Sequence, residues 1–267
     1  MKKSLFILAL LALVACNWIT RTKNQQPADT LSDQQQEDIE SYADVSQIPD
    51  YGIYISDGSF RMDKEESEAE VTTRFADMDT YALYRQADGN YALTPVAIKP
   101  AFGENECTGD MQAMLHTDTG DNSYIAIFAG LDSYNSKSFR GYARRWEGDN
   151  EILIALEPGE EFCFTYNGYD YVLGATARGE GNGDWADYEL VFRHGSQGQV
   201  LAFMTEMNNA LAQLLFAGDI DGDGHPDLLI EQASHYEMHH MVLYLSGYAA
   251  DGELVRAVAE DGEWRDC

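Results

Sequence analysis

Residues 216–230 read FAGDIDGDGHPDLLI, and this stretch carries the most informative pattern in the chain. Aspartates at alternate positions of a curling loop can converge on one Ca²⁺ ion, which takes about six to eight oxygen ligands. The apolar residues on both sides of the loop predict two strands that it joins. The stretch therefore predicts a strand, a calcium loop and a second strand.

Each position of the loop has its own predicted role in binding the ion. Gly224 gives the backbone freedom for the sharp turn, and His225 would contribute its backbone carbonyl and not its ring. Ile230 occupies the place where an EF-hand carries its bidentate Glu, so the loop is not an EF-hand. The ion would be structural, and its predicted ligands are Asp219, Asp221, Asp223, His225 and Asp227.

This order of apolar strand, DxDxDG loop and apolar strand resembles the calcium loop of FG-GAP and VCBS-type repeats, which build integrin-like β-propellers. One copy is visible in the chain, whereas a propeller needs several. The wider stretch 215–259 also resembles the C-terminal part of a group of bacterial secreted proteins and lipoproteins with no established activity. The resemblance implies a class of protein and no reaction.

Short apolar and aromatic runs, separated by turn residues, continue through residues 50–267. The clearest hairpin joins Glu161–Tyr166 to Tyr169–Ala175 through Asn167-Gly168, and similar hairpins are expected within Tyr51–Met62 and Tyr81–Ile98. This spacing predicts a mainly β fold, an antiparallel β-rich domain over residues 48–267 that forms a sandwich, barrel or partial propeller. One or two short helices are expected, at Met204–Leu215 and Glu253–Ala259.

The N-terminus predicts export. Residues 1–15, MKKSLFILALLALVA, have a basic start and an apolar run too short to span a membrane, as in a signal peptide. Leu13–Cys16 resembles the lipobox of bacterial lipoproteins, which implies cleavage before Cys16 and lipid attachment to it. Asn17 in place of Asp favours the outer membrane, and the polar, Gln-rich segment 16–47 predicts a flexible tether. The expected location is the bacterial cell envelope.

The charge balance excludes some partners. The chain has 17 Lys and Arg against 46 Asp and Glu, a net charge of −29. So acidic a surface repels phosphates, which argues against nucleic-acid binding. The expected partners are the membrane, through the lipid anchor, and a protein or glycan ligand that the sequence does not identify. The sequence does not indicate an oligomeric state.

Three cysteines follow Cys16, and an odd number in an exported protein implies one pair and one remaining thiol. Alternation around Cys163 predicts a buried strand position. The secreted proteins that the chain resembles also have a Cys near the end, which favours a Cys107–Cys267 disulfide. A Cys163–Cys267 bond is the alternative.

The histidines of SHYEMHHM (residues 234–241) have a spacing that could bind Zn²⁺ on a helix, but this segment lies between two strand-like runs. We therefore interpret His235, His239 and His240 as structural, or His235 as a neighbour of the calcium loop. Tyr166, Tyr169 and Tyr171 flank the Asn167-Gly168 turn. They fit either ligand recognition or cross-strand pairing.

The sequence shows no nucleophile elbow, P-loop, dinucleotide fingerprint or HExxH motif, and it predicts no catalytic residue. The favoured function is an envelope-anchored lipoprotein whose calcium-stabilised domain binds a ligand or serves as a scaffold. The alternative is a secreted hydrolase of glycans or peptides with a structural calcium.

Overall fold

The computed structural model describes residues 48–264, except 63–65, 106–108, 121–122, 144, 148–149, 153 and 180–183. Four predictions concern residues outside these ranges: the signal peptide, lipid attachment at Cys16, the tether, and the Cys107–Cys267 disulfide with its Cys163–Cys267 alternative. Within the described ranges the fold is mainly β and built from antiparallel sheets, as predicted. Of the three expected arrangements, a closed barrel is absent from the described residues.

The strands are short, and the described part of the chain has one helix, α1, at Glu68–Ala76. The strands are β1 Tyr54–Ser56, β2 Ser59–Arg61, β3 Thr80–Arg85, β4 Tyr91–Pro95, β5 Ile98–Glu104, β6 Met111–Thr117, β7 Ile127–Ala129, β8 Gly141–Ala143, β9 Arg145–Glu147, β10 Asn150–Ile152, β11 Ile154–Ala155, β12 Glu161–Tyr166, β13 Tyr169–Arg178, β14 Trp185–His194, β15 Gln197–Met207, β16 Gln213–Gly218, β17 Asp227–Glu231, β18 Met238–Leu245 and β19 Arg256–Trp264.

A central sheet has the order β11-β16-β17-β18-β19, and β8 also pairs with β16. A second sheet is the meander β12-β13-β14-β15, and a third has the order β1-β7-β3-β4. A smaller sheet, β2-β6-β5, and the pair β9-β10 complete the described strands.

The central sheet is covered on both faces. Leu228 and Ile230 belong to a core shared with the β12–β15 sheet, and Leu229 between them belongs to a core shared with β1, β3, β4 and β7. A sheet covered on both faces needs apolar side chains at consecutive positions, which explains the uninterrupted run after the loop. Each such side chain contributes roughly 1.5–3 kcal/mol when fully buried.

Two of the three predicted hairpins are confirmed. In the β12–β13 hairpin, Asn167 and Gly168 have φ values of 46° and 85°, as a left-handed two-residue turn requires. The β3–β4 hairpin also forms. The hairpin expected within Tyr51–Met62 is wrong, because β1 pairs with β7 and β2 pairs with β6. The turn between them therefore passes the chain from one sheet to another.

Both predicted helices are wrong. Met204 pairs with Tyr188 in the β14–β15 ladder, and Ala259 pairs with Leu243 in the β18–β19 ladder. Between β15 and β16 the backbone turns at Asn209, where φ is 47°. Pairing with distant strands overrides the weak helical periodicity of these segments.

Helix α1 was not expected from the sequence, although a capping signal precedes it. Ser67 and Glu70 form a capping box, in which each side chain accepts a hydrogen bond from the other residue's backbone N–H. Val71 and Phe75 are buried in a core with Leu115. None of the described helical segments is long and apolar enough to cross a membrane.

The predicted burial of Cys163 is wrong. Side chains alternate along β12, and Phe164 is the residue that enters the core there, at 5% exposure. Cys163 lies on the other face and is exposed.

Candidate metal centre

The loop between β16 and β17 brings three of the predicted ligands together. Asp219, Asp221 and Asp227 each place one carboxylate oxygen within 4.8 Å of the other two. All three residues are buried, with exposures of 6%, 6% and 0%. The cluster lies at one end of the central sheet, where β16 ends and β17 begins.

Asp227 is the most enclosed of the three. Its Oδ2 accepts hydrogen bonds from the backbone N–H groups of Ile220 at 2.6 Å and Asp221 at 3.1 Å. Its Oδ1 accepts from the N–H and the hydroxyl of Ser246, at 2.7 and 2.9 Å. Burial, and then the charge of Asp221, raise the pKa of Asp227 well above its ordinary value. This carboxylate thus ties the loop to the segment after β18.

Asp219 and Asp221 are held in a similar way. The carboxylate of Asp219 accepts from Gly222 N–H at 2.8 Å and from the side-chain amide of Asn135 at 3.1 Å. The carboxylate of Asp221 accepts from Gly247 N–H at 3.0 Å. Burial raises the pKa of both carboxyls, and the nearby charge of Asp223 adds to the effect. A divalent cation among these oxygens would reverse that effect by favouring the charged form.

Asp223 and His225 lie at the outer side of the loop. Asp223 is exposed, and its carboxylate accepts from Ser246 Oγ at 3.1 Å and from His225 N–H at 2.7 Å. It lies outside the close group of three oxygens, so the structure brings together three of the four predicted aspartates. His225 is also exposed, and its imidazole is not part of the group.

Two segments that close the site were not found from the sequence. Gly247 lies so close to the loop that a Cβ there would be 2.5 Å from Asp221 Oδ2. Asn135, in the segment after β7, also donates its backbone N–H to Ile220 O at 2.7 Å. Gly247 lies within the stretch 215–259 that carries the family resemblance, but nothing in the sequence predicted that it contacts the loop, and no signal pointed to Asn135.

The loop is joined to the Asn167-Gly168 turn of the neighbouring sheet. Asn167 donates its side-chain amide to Gly224 O at 2.7 Å. Tyr169, directly after the turn, is 55% exposed, and its ring lies edge-on to His194 with centroids 5.5 Å apart. Tyr166 and Tyr171 are buried, so cross-strand packing accounts for them and Tyr169 is the exposed tyrosine of the three.

The carboxylates of the loop affect the pKa of the Tyr166 phenol. Burial raises its pKa to about 12, and the charges of Asp219, Asp227 and Asp223 contribute in the same direction. The phenol therefore stays neutral beside the carboxylates. Tyr166 is the last residue of β12 and belongs to the core that this sheet shares with the central sheet.

The three histidines lie away from this loop. His235 is in the connection between β17 and β18, at the opposite end of those strands, so the expected contact of His235 with the calcium loop is wrong. His240 and His239 lie on β18, where a connecting segment was expected. His240 Nε2 is 2.9 Å from Glu260 Oε2, whereas His239 is buried and its Nδ1 is 2.5 Å from Glu231 Oε2.

The donor chemistry fits the predicted ion. The three converging groups offer only carboxylate oxygens, which are the ligands that Ca²⁺ prefers. Gly222 and Gly224 adopt φ values of 86° and 94°, which let the chain curl around the carboxylates.

No protein-family model, curated protein or solved structure matches this chain. The resemblances to lipoproteins and to FG-GAP-type loops therefore stay predictions, supported by the residues that carry them.

Proposed function

We propose that this protein is an envelope-anchored lipoprotein whose calcium-stabilised β-rich domain binds a protein or glycan ligand. The observation that supports it most is the hydrogen bond from Asn167 to Gly224 O. It joins the acidic loop to a turn that exposes Tyr169. Tyrosine offers an apolar ring and a polar hydroxyl, which suits recognition of sugars and peptides.

Calcium would act by fixing the loop. Without a cation, the buried carboxylates of Asp219, Asp221 and Asp227 disfavour their own charged forms, as their raised pKa values indicate. A bound ion would favour the charged forms and stabilise the folded chain by about 2.7 kcal/mol at a concentration of about 100 Kd. The ordered loop would then hold the Asn167-Gly168 turn in a single position.

The alternative is a secreted hydrolase with a structural calcium. A cleft of about 540 Å³ lies between α1 and the β3–β5 strands, and its lining includes Asp79 and Asp118 together with Phe75 and Tyr81. Paired carboxylates can hydrolyse glycosides when they lie roughly 5–10 Å apart. Asp118, however, accepts a hydrogen bond from Ala97 N–H at 3.0 Å, a contact that holds the β4–β5 connection to the end of β6. The binding function is favoured because it explains the link between the loop and the exposed tyrosine.

Calcium binding is tested by thermal unfolding of the protein in millimolar Ca²⁺ and in excess chelator. We expect Ca²⁺ to raise the Tm by about 5–10 °C, since 1 kcal/mol corresponds to roughly 2–4 °C in a chain of this size. Asp221→Asn should abolish most of the shift. An unchanged Tm in the wild-type protein would contradict the calcium assignment.

The lipid anchor is tested by labelling cells with a radioactive fatty acid. The wild-type protein should carry the label and sediment with membranes, whereas Cys16→Ser should lose both properties. A Cys16→Ser protein that is still labelled and membrane-bound would rule out attachment at this residue.

Ligand binding is tested by placing a photoreactive amino acid at Tyr169 and cross-linking in the native envelope. Tyr54 provides the matched control, since it is 43% exposed and lies on β1, where Arg74 of α1 stands 5.9 Å from the centre of its ring. We expect a discrete adduct at Tyr169 that disappears with chelator, and none at Tyr54. Equal adducts at both positions, or adducts insensitive to chelator, would argue against this binding face.

A further inference from the structure

A second group of metal-ligating side chains lies near the far end of β17 and β18. One ligand atom from each of Asp57, His239 and Asp261 lies within 4.8 Å of the other two. Asp57 follows β1, His239 is on β18 and Asp261 is on β19. Packing of the β1 sheet against the central sheet therefore assembles a group whose members are far apart in sequence.

The His239 imidazole is fixed by a fourth residue. Its Nδ1 is 2.5 Å from Glu231 Oε2, at the end of β17. The other oxygen of Glu231 accepts hydrogen bonds from the backbone N–H groups of Ala233 at 3.2 Å and His240 at 2.7 Å. The carboxylate is thus anchored to the backbone and sets the orientation of the ring.

This contact determines which ring nitrogen can bind a metal. Because Oε1 of Glu231 already accepts two backbone N–H groups and Oε2 lies 2.5 Å from Nδ1, the arrangement fits a carboxylate that accepts a hydrogen bond from His239 Nδ1–H. In the neutral imidazole, Nε2 then presents its lone pair on the side of Asp57. Histidines that bind metals almost always donate their other N–H to a carboxylate, a backbone carbonyl or water in this way.

The distance between the ligand atoms of His239 and Asp57 suits coordination of a metal ion. His239 Nε2 and Asp57 Oδ2 are 3.9 Å apart, longer than a hydrogen bond. Two ligands of one tetrahedral Zn²⁺, each about 2.1 Å from the ion, lie about 3.4 Å apart. A contraction of a few tenths of an ångström would bring both atoms within reach of one ion. The side chains of His239 and Asp57 are 8% and 21% exposed, so the position is shielded from bulk water but not closed.

We propose that Asp57, His239 and Asp261 form a second metal site, selective for a first-row transition-metal ion such as Zn²⁺, with Glu231 as the residue that positions His239. One imidazole nitrogen with carboxylate oxygens is a donor set for Zn²⁺, whereas the loop at the other end offers oxygen alone. The two sites would therefore bind different ions.

The test uses the full chain in detergent, stripped of metal with a chelator and dialysed, with Zn²⁺ itself as the probe. Calorimetric titration should show one zinc equivalent in the wild-type protein that is absent in His239→Gln. His240→Gln is the matched control, because His240 is the next residue and pairs with Glu260 instead. Glu231→Gln should weaken zinc binding by about 10–100-fold, as expected for a residue that orients a ligand.

Each outcome bears on the proposal. Identical zinc binding by His239→Gln and the wild-type protein would overturn it, as would a wild-type protein that binds no zinc. Asp261→Asn keeps the size of the side chain and serves as a second variant if His239→Gln does not fold. The calcium-dependent Tm shift should persist in every folded variant, which separates this test from that of the calcium loop.

Discussion

The acidic loop and the His239 cluster lie at opposite ends of the same strand, β17, yet they are built in different ways. The loop draws its three converging carboxylates from Asp219–Asp227, a stretch of consecutive residues. The His239 cluster draws its ligand atoms from the turn after β1 and from β18 and β19. A local cluster can be read from the sequence, whereas a dispersed one exists only after the sheets have packed.

The two regions also depend on different contacts. The carboxylates of the loop accept hydrogen bonds mainly from neighbouring backbone N–H groups, such as those of Ile220 and Gly222. The His239 cluster depends on the core in which Ile53 and Ile55 pack with Met241. Substitutions inside the loop should therefore lower both the stability of the fold and the affinity for calcium. They should leave zinc binding at the His239 cluster unchanged.

The largest effect should come from Asp227→Ala. This change removes a fully buried acceptor and leaves the N–H groups of Ile220, Asp221 and Ser246 without their partner. We expect the free energy of unfolding in urea to fall by about 3–5 kcal/mol, since each unsatisfied buried group costs about 1–3 kcal/mol and the costs are not additive.

Asp251→Ala is the control for this change, because Asp251 is exposed in the β18–β19 connection. It should alter stability by less than about 0.5 kcal/mol. If Asp227→Ala were equally mild, the loop would not depend on its own carboxylates, and the contrast between the two regions would fail.

A smaller effect is expected from Gly247→Ala. The added Cβ would lie 2.5 Å from Asp221 Oδ2, so the carboxylate or the segment after β18 must move. Stability should fall by about 1–3 kcal/mol, as for other overpacked sites, and the calcium-dependent Tm shift should shrink.

Gly103→Ala is the control for Gly247→Ala, because a Cβ at that position of β5 meets no atom within 4 Å. It should leave the response to calcium unchanged. Equal calcium responses in the two variants would show that the close approach of Gly247 is not needed for binding.

The smallest effect should come from Asn167→Gly. Glycine readily adopts the left-handed conformation that Asn167 has, at φ 46°, but cannot donate to Gly224 O. Loss of one hydrogen bond should cost about 0.5–1.5 kcal/mol and make cross-linking at Tyr169 less sensitive to calcium.

Asn209→Gly replaces another left-handed asparagine, at φ 47°, in the β15–β16 connection. It should leave the calcium sensitivity of cross-linking at Tyr169 unchanged. If the two variants behaved alike, the hydrogen bond from Asn167 would not connect the loop to the turn.

Turn residues in the sequence predicted hairpins correctly where the two strands that follow and precede the turn pair with each other. The β12–β13 hairpin follows from Asn167-Gly168, because a two-residue turn fixes the register of both strands. The hairpin expected within Tyr51–Met62 failed because the Asp57-Gly58 turn does not decide which strands pair. Helix α1 had a local signal in its capping box, but its short apolar face gave weak periodicity.

The two sites differ in the same way. Aspartate spacing predicted the convergence of Asp219, Asp221 and Asp227, because consecutive residues of one loop stay together in any fold. It did not predict the contributions of Asn135 and Gly247, which arrive from other segments. Nor did the spacing of His239 from its neighbouring histidines reveal Glu231 on the adjacent strand β17, or Asp57 across the packed sheets.

The length of β17 has a consequence for the evolution of this chain. Asp227 and Glu231 are four residues apart, so their side chains share a face and their Cα atoms are separated by about 13 Å. A one-residue insertion or deletion between them would turn one carboxylate towards the β12–β15 sheet. Related sequences should therefore exchange apolar residues freely at Leu228–Ile230 while keeping their number constant.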